Sequence, residues 1–241
     1  MRKSATWAGV FAWMSAAMYG GCGMQPDELL PVDADVIFRD DFDESGLKDG
    51  WTFISSDASK RTLDERPGFV RIYPGTPAAN VKDADPSFLV RELRGDFVLT
   101  VRMEFEPRVD LELAGLAVEG EDGRTVALGL ISASNTRGTF RGLLMRADRG
   151  PNLDPGRAGA MFDSDNVYLR LQRIGDSYIG SYSEDGVTFT RVGALRNDLS
   201  NDVRGGIGTA TSGLCTQHCG ENVPADFDFF EVAAPSEDPG G

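Results

Sequence analysis

Three features of this 241-residue chain predict an all-β fold, two antiparallel sheets packed as a jelly-roll sandwich. Apolar residues recur at every second position in several short runs, turns containing glycine separate those runs at regular spacing, and no stretch keeps a helical period over three turns. Many short strands punctuated in this way build sandwiches and jelly rolls. The order along the chain is a leader at 1–21, a tether at 22–34, one β-domain at 35–233 and a disordered tail at 234–241.

The leader "MRKSATWAGVFAWMSAAMYGGCG" opens on Arg2 and Lys3, continues as an apolar run from Trp7 to Tyr19, and reaches small residues at Gly20 and Gly21. That is the layout of a secretory signal peptide. The run is too short for a permanent span, which needs roughly 20 residues. Tyr-Gly-Gly-Cys resembles the lipobox of bacterial lipoproteins, which makes Cys22 the expected lipidated N-terminus, with Tyr19 standing where an aliphatic residue is usual. The alternative is ordinary cleavage after Ser15-Ala16-Ala17. Two or more acyl chains anchor a protein stably to a membrane. Gly23 after the cysteine points to the outer membrane by resemblance to lipoprotein sorting rules; without lipid, the protein is periplasmic or secreted. "GMQPDELLPVDA" is a polar tether and "APSEDPGG" a disordered tail.

Without residues 1–21 the chain keeps 22 basic against 38 acidic residues, a formal charge of −16. Nucleic acid is not an expected partner, because phosphate binding needs a basic footprint. About 220 residues suffice for one large β-domain.

Within that domain, "DFVLTVRMEFE" places Phe97, Leu99, Val101, Met103 and Phe105 on one face and a mostly charged row on the other. "LAGLAVEGEDGRTVALGLIS" is a hairpin around Glu121-Asp122-Gly123, and "FRGLLMR" a further strand. "VYLRLQR", "SYIGSYS" and "VTFTRVG" are joined by tight turns at "IGD" and "EDG" into a meander. "RGGIGTAT" and "ADFDFFEVA" close the chain.

"CTQHC" (215–219) holds the only histidine, His218, between Cys215 and Cys219. With Cys22 lipidated, these two form an even pair in an oxidising compartment, so a disulfide is expected. It closes a loop small enough to contribute only about 2 kcal/mol. Zinc held by Cys215, His218, Cys219 and Glu221, or free thiols, are the alternatives. A Cys–His nucleophile is usually assembled from distant residues, which argues against one here.

"IFRDDFDESGLKDGW", "PGFVRIYP", "DFVLTVRMEF", "LAGLAVE", "VYLRLQRIGDSYIGSYSEDGVTFTRVG" and "ADFDFFEV" together resemble the concanavalin A-like sandwich modules. The nearest are the C-terminal β-sandwich of family 43 glycoside hydrolases and related regulatory-type modules. The resemblance runs from Val36 to Val232 and is carried by turn and core residues, so it implies a fold before a function. Catalytic relatives of family 16 carry a strand whose acidic side chains face a cleft together, as retaining hydrolysis requires. Here "MEFEPRVDLE" offers Glu104, Glu106, Asp110 and Glu112, but Pro107 interrupts the run and the spacing differs. Neither a nucleophile elbow nor a phosphate loop is present.

A non-catalytic carbohydrate-binding module is therefore the leading expectation. A structural or partner-docking module and a divergent glycosidase stand as alternatives. The candidate ligand residues are Tyr168 with Arg170, which alternate with the core set and so face outward, and Trp51, which is placed either in the core or under a sugar ring. A structural calcium is expected from the resemblance, where first strand, glycine-led strand and last strand meet, at Asp41, Gly68 and Asp228. Asp228 would share a face with Phe230 and Val232, and a buried carboxylate beside Asp226 needs a partner.

Overall fold

The structure is a computed structural model and describes residues 35–75, 87–108, 112–135, 138–148, 156–211 and 223–235. In chain order the strands are β1 (Val36–Asp40), β2 (Thr52–Ile54), β3 (Arg61–Thr62), β4 (Val70–Ile72), β5 (Ser87–Arg94), β6 (Phe97–Glu104), β7 (Glu112–Gly120) and β8 (Thr125–Asn135). There follow β9 (Gly138–Ala147), β10 (Gly156–Met161), β11 (Asn166–Ile174), β12 (Ser177–Ser183), β13 (Thr190–Arg196), β14 (Asp202–Thr211) and β15 (Ala225–Ala233). They form an eight-stranded sheet, β13-β12-β11-β6-β15-β4-β3 with β1 also on β15, and a seven-stranded sheet, β10-β9-β8-β7-β14-β5-β2. Every pairing is antiparallel among the described residues. This is the predicted two-sheet sandwich.

The period-two reading of β6 holds: Phe97, Leu99, Val101, Met103 and Phe105 are all buried in the main core, facing Leu116, Val118, Leu128, Leu143 and Met145 of the other sheet. The opposite row is more enclosed than its polarity suggests, since Val98 and Thr100 are buried as well. Gly175, with φ 55°, turns β11 into β12, and its N–H is held by Asp96 Oδ1 at 2.8 Å. A left-handed residue in a two-residue hairpin loop matches the twist of the flanking strands.

Two expectations are corrected. The second turn of the meander is not tight, because β13 begins only at Thr190. In the longer loop, Asp185 Oδ1 accepts the N–H groups of Val187 and Thr188, each at 2.8 Å, and Ser183 Oγ accepts that of Gly186 at 2.9 Å. The N–H groups of Thr188 and Val187, then the Ser183 hydroxyl donating to Oδ1 at 2.7 Å, pull the Asp185 carboxyl down to about 2. The second correction concerns the last strand. The β15–β6 register shifts between Phe227 and Phe229, so a bulge inserts Asp228. A bulge moves every later residue to the other face. Phe227 and Phe230 are therefore buried while Asp228 is only half-buried, and Asp228 does not share the apolar face with Phe230 and Val232.

Candidate functional site

The outer face of the eight-stranded sheet carries Tyr168 and Arg170 on β11, as the alternation requires. Both are half-buried, and one loop covers them. Gly186 stands so close to the Tyr168 ring that a Cβ there would meet Cε1 at 2.8 Å. The Arg170 guanidinium lies 3.6 Å from the centroid of Phe189, and burial pushes its pKa down against the pull of Glu231. Phe229 adds a third ring 6.3 Å from Tyr168, with Arg39 over it at 4.1 Å.

Trp51 lies on the other side of this sheet. Its ring centroid is 4.9 Å from Phe230 and 5.8 Å from Phe38, and its Nε1–H donates to Asp40 Oδ2 at 2.9 Å. The structure thus joins Tyr168 with Arg170 and separates Trp51 from both, placing it in the packed position. Asp40 is the residue the sequence reading passed over: it is buried, and its carboxylate also accepts the N–H groups of Phe42 (3.2 Å) and Lys48 (3.1 Å). Its only sequence signal was a second aspartate before Asp41.

The three elements proposed for calcium do meet. β1 ends with Asp40 opposite Phe230 and β4 starts with Val70 opposite Phe227, so the notch between them on β15 falls at Asp228 and Phe229. Their carboxylates are engaged by arginines in this arrangement. Asp228 Oδ2 accepts from Arg102 Nη1 at 2.7 Å, Asp41 accepts from Arg39 Nε at 2.7 Å, and Gly68 is a turn residue at φ 79°. Among the described residues no group of three His, Cys, Asp or Glu side chains is placed to hold a metal. The more deeply buried carboxylate, Asp226, is met by Arg71 (2.6 and 2.8 Å) and Arg66 (2.8 Å). Burial pushes that carboxyl up, but the two arginines outweigh it and the net displacement is downward. The need for a partner was real, and arginines from Arg66 and β4 answer it.

The carboxylates weighed for catalysis are likewise engaged: Glu104 accepts from Arg66 at 2.8 Å and Glu106 from Arg108 at 3.0 Å. Asp110 lies outside the described residues, as do Cys22, Cys215, His218, Cys219 and Glu221.

A cavity of about 290 Å³ opens where β9 and β10 meet the crossing to the other sheet, lined by Arg141, Met161, Phe162 and Asp163. In the sequence Arg141 is one polar position of the strand "FRGLLMR", with nothing that marks it as a site residue.

The family described as the β-xylosidase C-terminal concanavalin A-like domain matches residues 39–233. A non-reducing end α-L-arabinofuranosidase of Bacteroides ovatus is 30% identical over 198 residues, covering 80% of this chain and 36% of its own length. Among solved structures, the GH43 BlXynB protein of Bacillus licheniformis aligns at TM-score 0.65 and 21% identity over 81% of this chain and 39% of its own. A xylan β-1,4-xylosidase of Bacillus halodurans C-125 aligns at TM-score 0.62 and 21% identity over 89% and 41%. At these identities the structural likeness is one of fold. The chain spans about two-fifths or less of the length of these three relatives.

Proposed function

This chain belongs to the family of β-xylosidase C-terminal concanavalin A-like domains, and from that premise we infer that it is a non-catalytic module that binds carbohydrate on the bacterial envelope. The observation that carries the reading is the reach of the family match, residues 39–233, which takes in almost the whole described sandwich. Held on a lipid at Cys22 by the tether at 22–34, the module would tie a glycan to the membrane surface. Two acyl chains suffice for stable anchoring. Disulfide closure of Cys215 with Cys219 belongs to the same reading, since it suits an oxidising compartment.

Retention of the mature protein by insoluble xylan and arabinan tests the binding; no retention by any plant or bacterial polysaccharide would sink it. One observation favours a second reading, docking to a protein without sugar: Tyr168 and Arg170, the outward-facing pair, lie under the Ser183–Phe189 loop. Hydrolysis of chromogenic xylosides or arabinosides by the purified chain would instead establish a glycosidase. Mass spectrometry of the membrane fraction tests the anchor: an unmodified N-terminus near Met18 removes it.

A further inference from the structure

The depression at the end of β10, beside Arg141 of β9, is built from parts that suit one ligand chemistry. Its aromatic wall is fixed: Phe162 is 6% exposed and packs edge-on against Tyr182, with centroids 5.2 Å apart. Its cation is fixed as well, because Arg141 is ion-paired with Asp165, while Arg141 Nε is buried without a hydrogen-bond partner. Asp163 is exposed at the rim, and Met161, at 72% exposure, presents an apolar thioether to solvent.

Resting on the reading of this chain as a carbohydrate-binding module, the geometry points to this cavity as the subsite for a single neutral sugar residue, the terminal pentose or hexose of a glycan. A volume near 290 Å³ lies at the lower end of small-molecule pockets, roughly 300 Å³, and has room for one sugar ring in an open depression. A sugar has an apolar C–H face and a rim of hydroxyls. Met161 and Phe162 supply apolar surface for the first. Asp163, an acceptor, and the Arg141 guanidinium, a donor, supply partners for the second. Asp163 and Asp165 outnumber Arg141, so a uronic acid or another anion meets net negative charge and is disfavoured. Tyr168, Arg170 and Trp51 play no part in this site.

The test uses the mature chain carrying ¹³C-methyl methionine, with the Met161 methyl resonance assigned through Met161→Leu. Titration with D-xylose or L-arabinose is expected to move that resonance saturably, and D-glucuronate is expected to leave it in place. Asp163→Asn, at an exposed position, should weaken the sugar by about tenfold without changing the fold. A Met161 methyl that no neutral sugar moves, or that glucuronate moves with equal affinity, overturns the subsite. Retention of the protein on xylan with an unmoved Met161 overturns the subsite alone. A Met161 shift without retention by any polysaccharide supports the subsite and sinks the broader reading.

Discussion

The two outward faces of this sandwich solve the same problem with opposite chemistry. On the eight-stranded sheet, arginines and carboxylates interlock: Arg66 and Arg71 on Asp226, Arg102 on Asp228, Arg39 on Glu231. On the seven-stranded sheet, Gly208, Gly115 and Gly129 are consecutive partners across β14, β7 and β8, and around them lies a second apolar cluster of Phe88, Val90, Leu113, Ala117, Ala127, Ile131 and Ala210. Among the described residues one ion pair crosses from β14 to β7, Arg204 with Glu119, whose side chain is fully buried and whose Oε1 has no partner. Where strands approach so closely that no Cβ fits, side chains cannot carry the surface. Where they can, paired charges do.

The sharpest way to break this contrast is at the glycines. A Cβ at Gly206 would meet Leu89 O at 2.0 Å and Val90 Cα at 2.8 Å, both backbone atoms that cannot swing away. Gly206→Val is expected to cost about 3 kcal/mol or more, or to abolish folding, in urea unfolding. Gly46→Ala, which meets nothing within 4 Å, should stay within about 0.5 kcal/mol. A tolerated Gly206→Val would remove the close-approach argument.

Next in size is the loss of the hub of the charged face. Asp226→Ala leaves Arg66 with Glu104 and Arg71 with Glu65 as their remaining carboxylates. Removing one partner of a buried pair costs about 3–5 kcal/mol, but these arginines are one-quarter to one-third exposed and can rehydrate, so about 2 kcal/mol is expected. An unchanged denaturation midpoint would show that the lattice is decoration.

The two faces should also answer pH with opposite slopes. Asp226 has a lowered native pKa, so its contribution is fully present above the ordinary aspartate value, about 3.9, and is lost as pH falls through the native value. Burial raises the Glu119 pKa despite Arg204, so the folded state holds that proton longer. Stability therefore declines as pH rises from the ordinary glutamate value, about 4.3, through the native one. Stability measured from pH 2 to 8 should show a smaller acid limb in Asp226→Asn, with Asp185 and Asp122 keeping the remainder, and a smaller decline above about pH 4.3 in Glu119→Gln. Identical profiles for the two variants would contradict the assignment.

The smallest effect concerns the notch on β15. With Asp228 held by Arg102 and Asp41 by Arg39, a calcium chelator is expected to move the melting midpoint by no more than about 1 °C. A larger fall that disappears in Asp228→Ala would place an ion there after all.

Much of this architecture was legible in the residues. The alternation in Phe97–Phe105 gave the core face of β6, the set Val167, Leu169 and Leu171 that of β11, and glycines at 123 and 175 the turns, because strand period and turn conformation are local properties. The candidate site was less legible. The outward direction of Tyr168 and Arg170 follows from alternation, but their cover by the Ser183–Phe189 loop does not. The inserted Asp228 shifts the face of all that follows by one residue, which no count along β15 reveals without the pairing to β6.

What the sequence determined by itself, then, was most of the strands, the apolar faces of β6 and β11, and that Asp226 or Asp228 needed a counter-charge. Only the tertiary structure decided that the counter-charge is arginine. Arg66 and Arg71 stand 160 and 155 residues from Asp226 along the chain, and only the antiparallel register of β4 on β15 brings Arg71 opposite it. Arg141, Phe162 and Asp163 likewise come together only where the chain crosses between sheets. Charge and periodicity are written in the chain, while partnership is set by register between strands that are far apart in it.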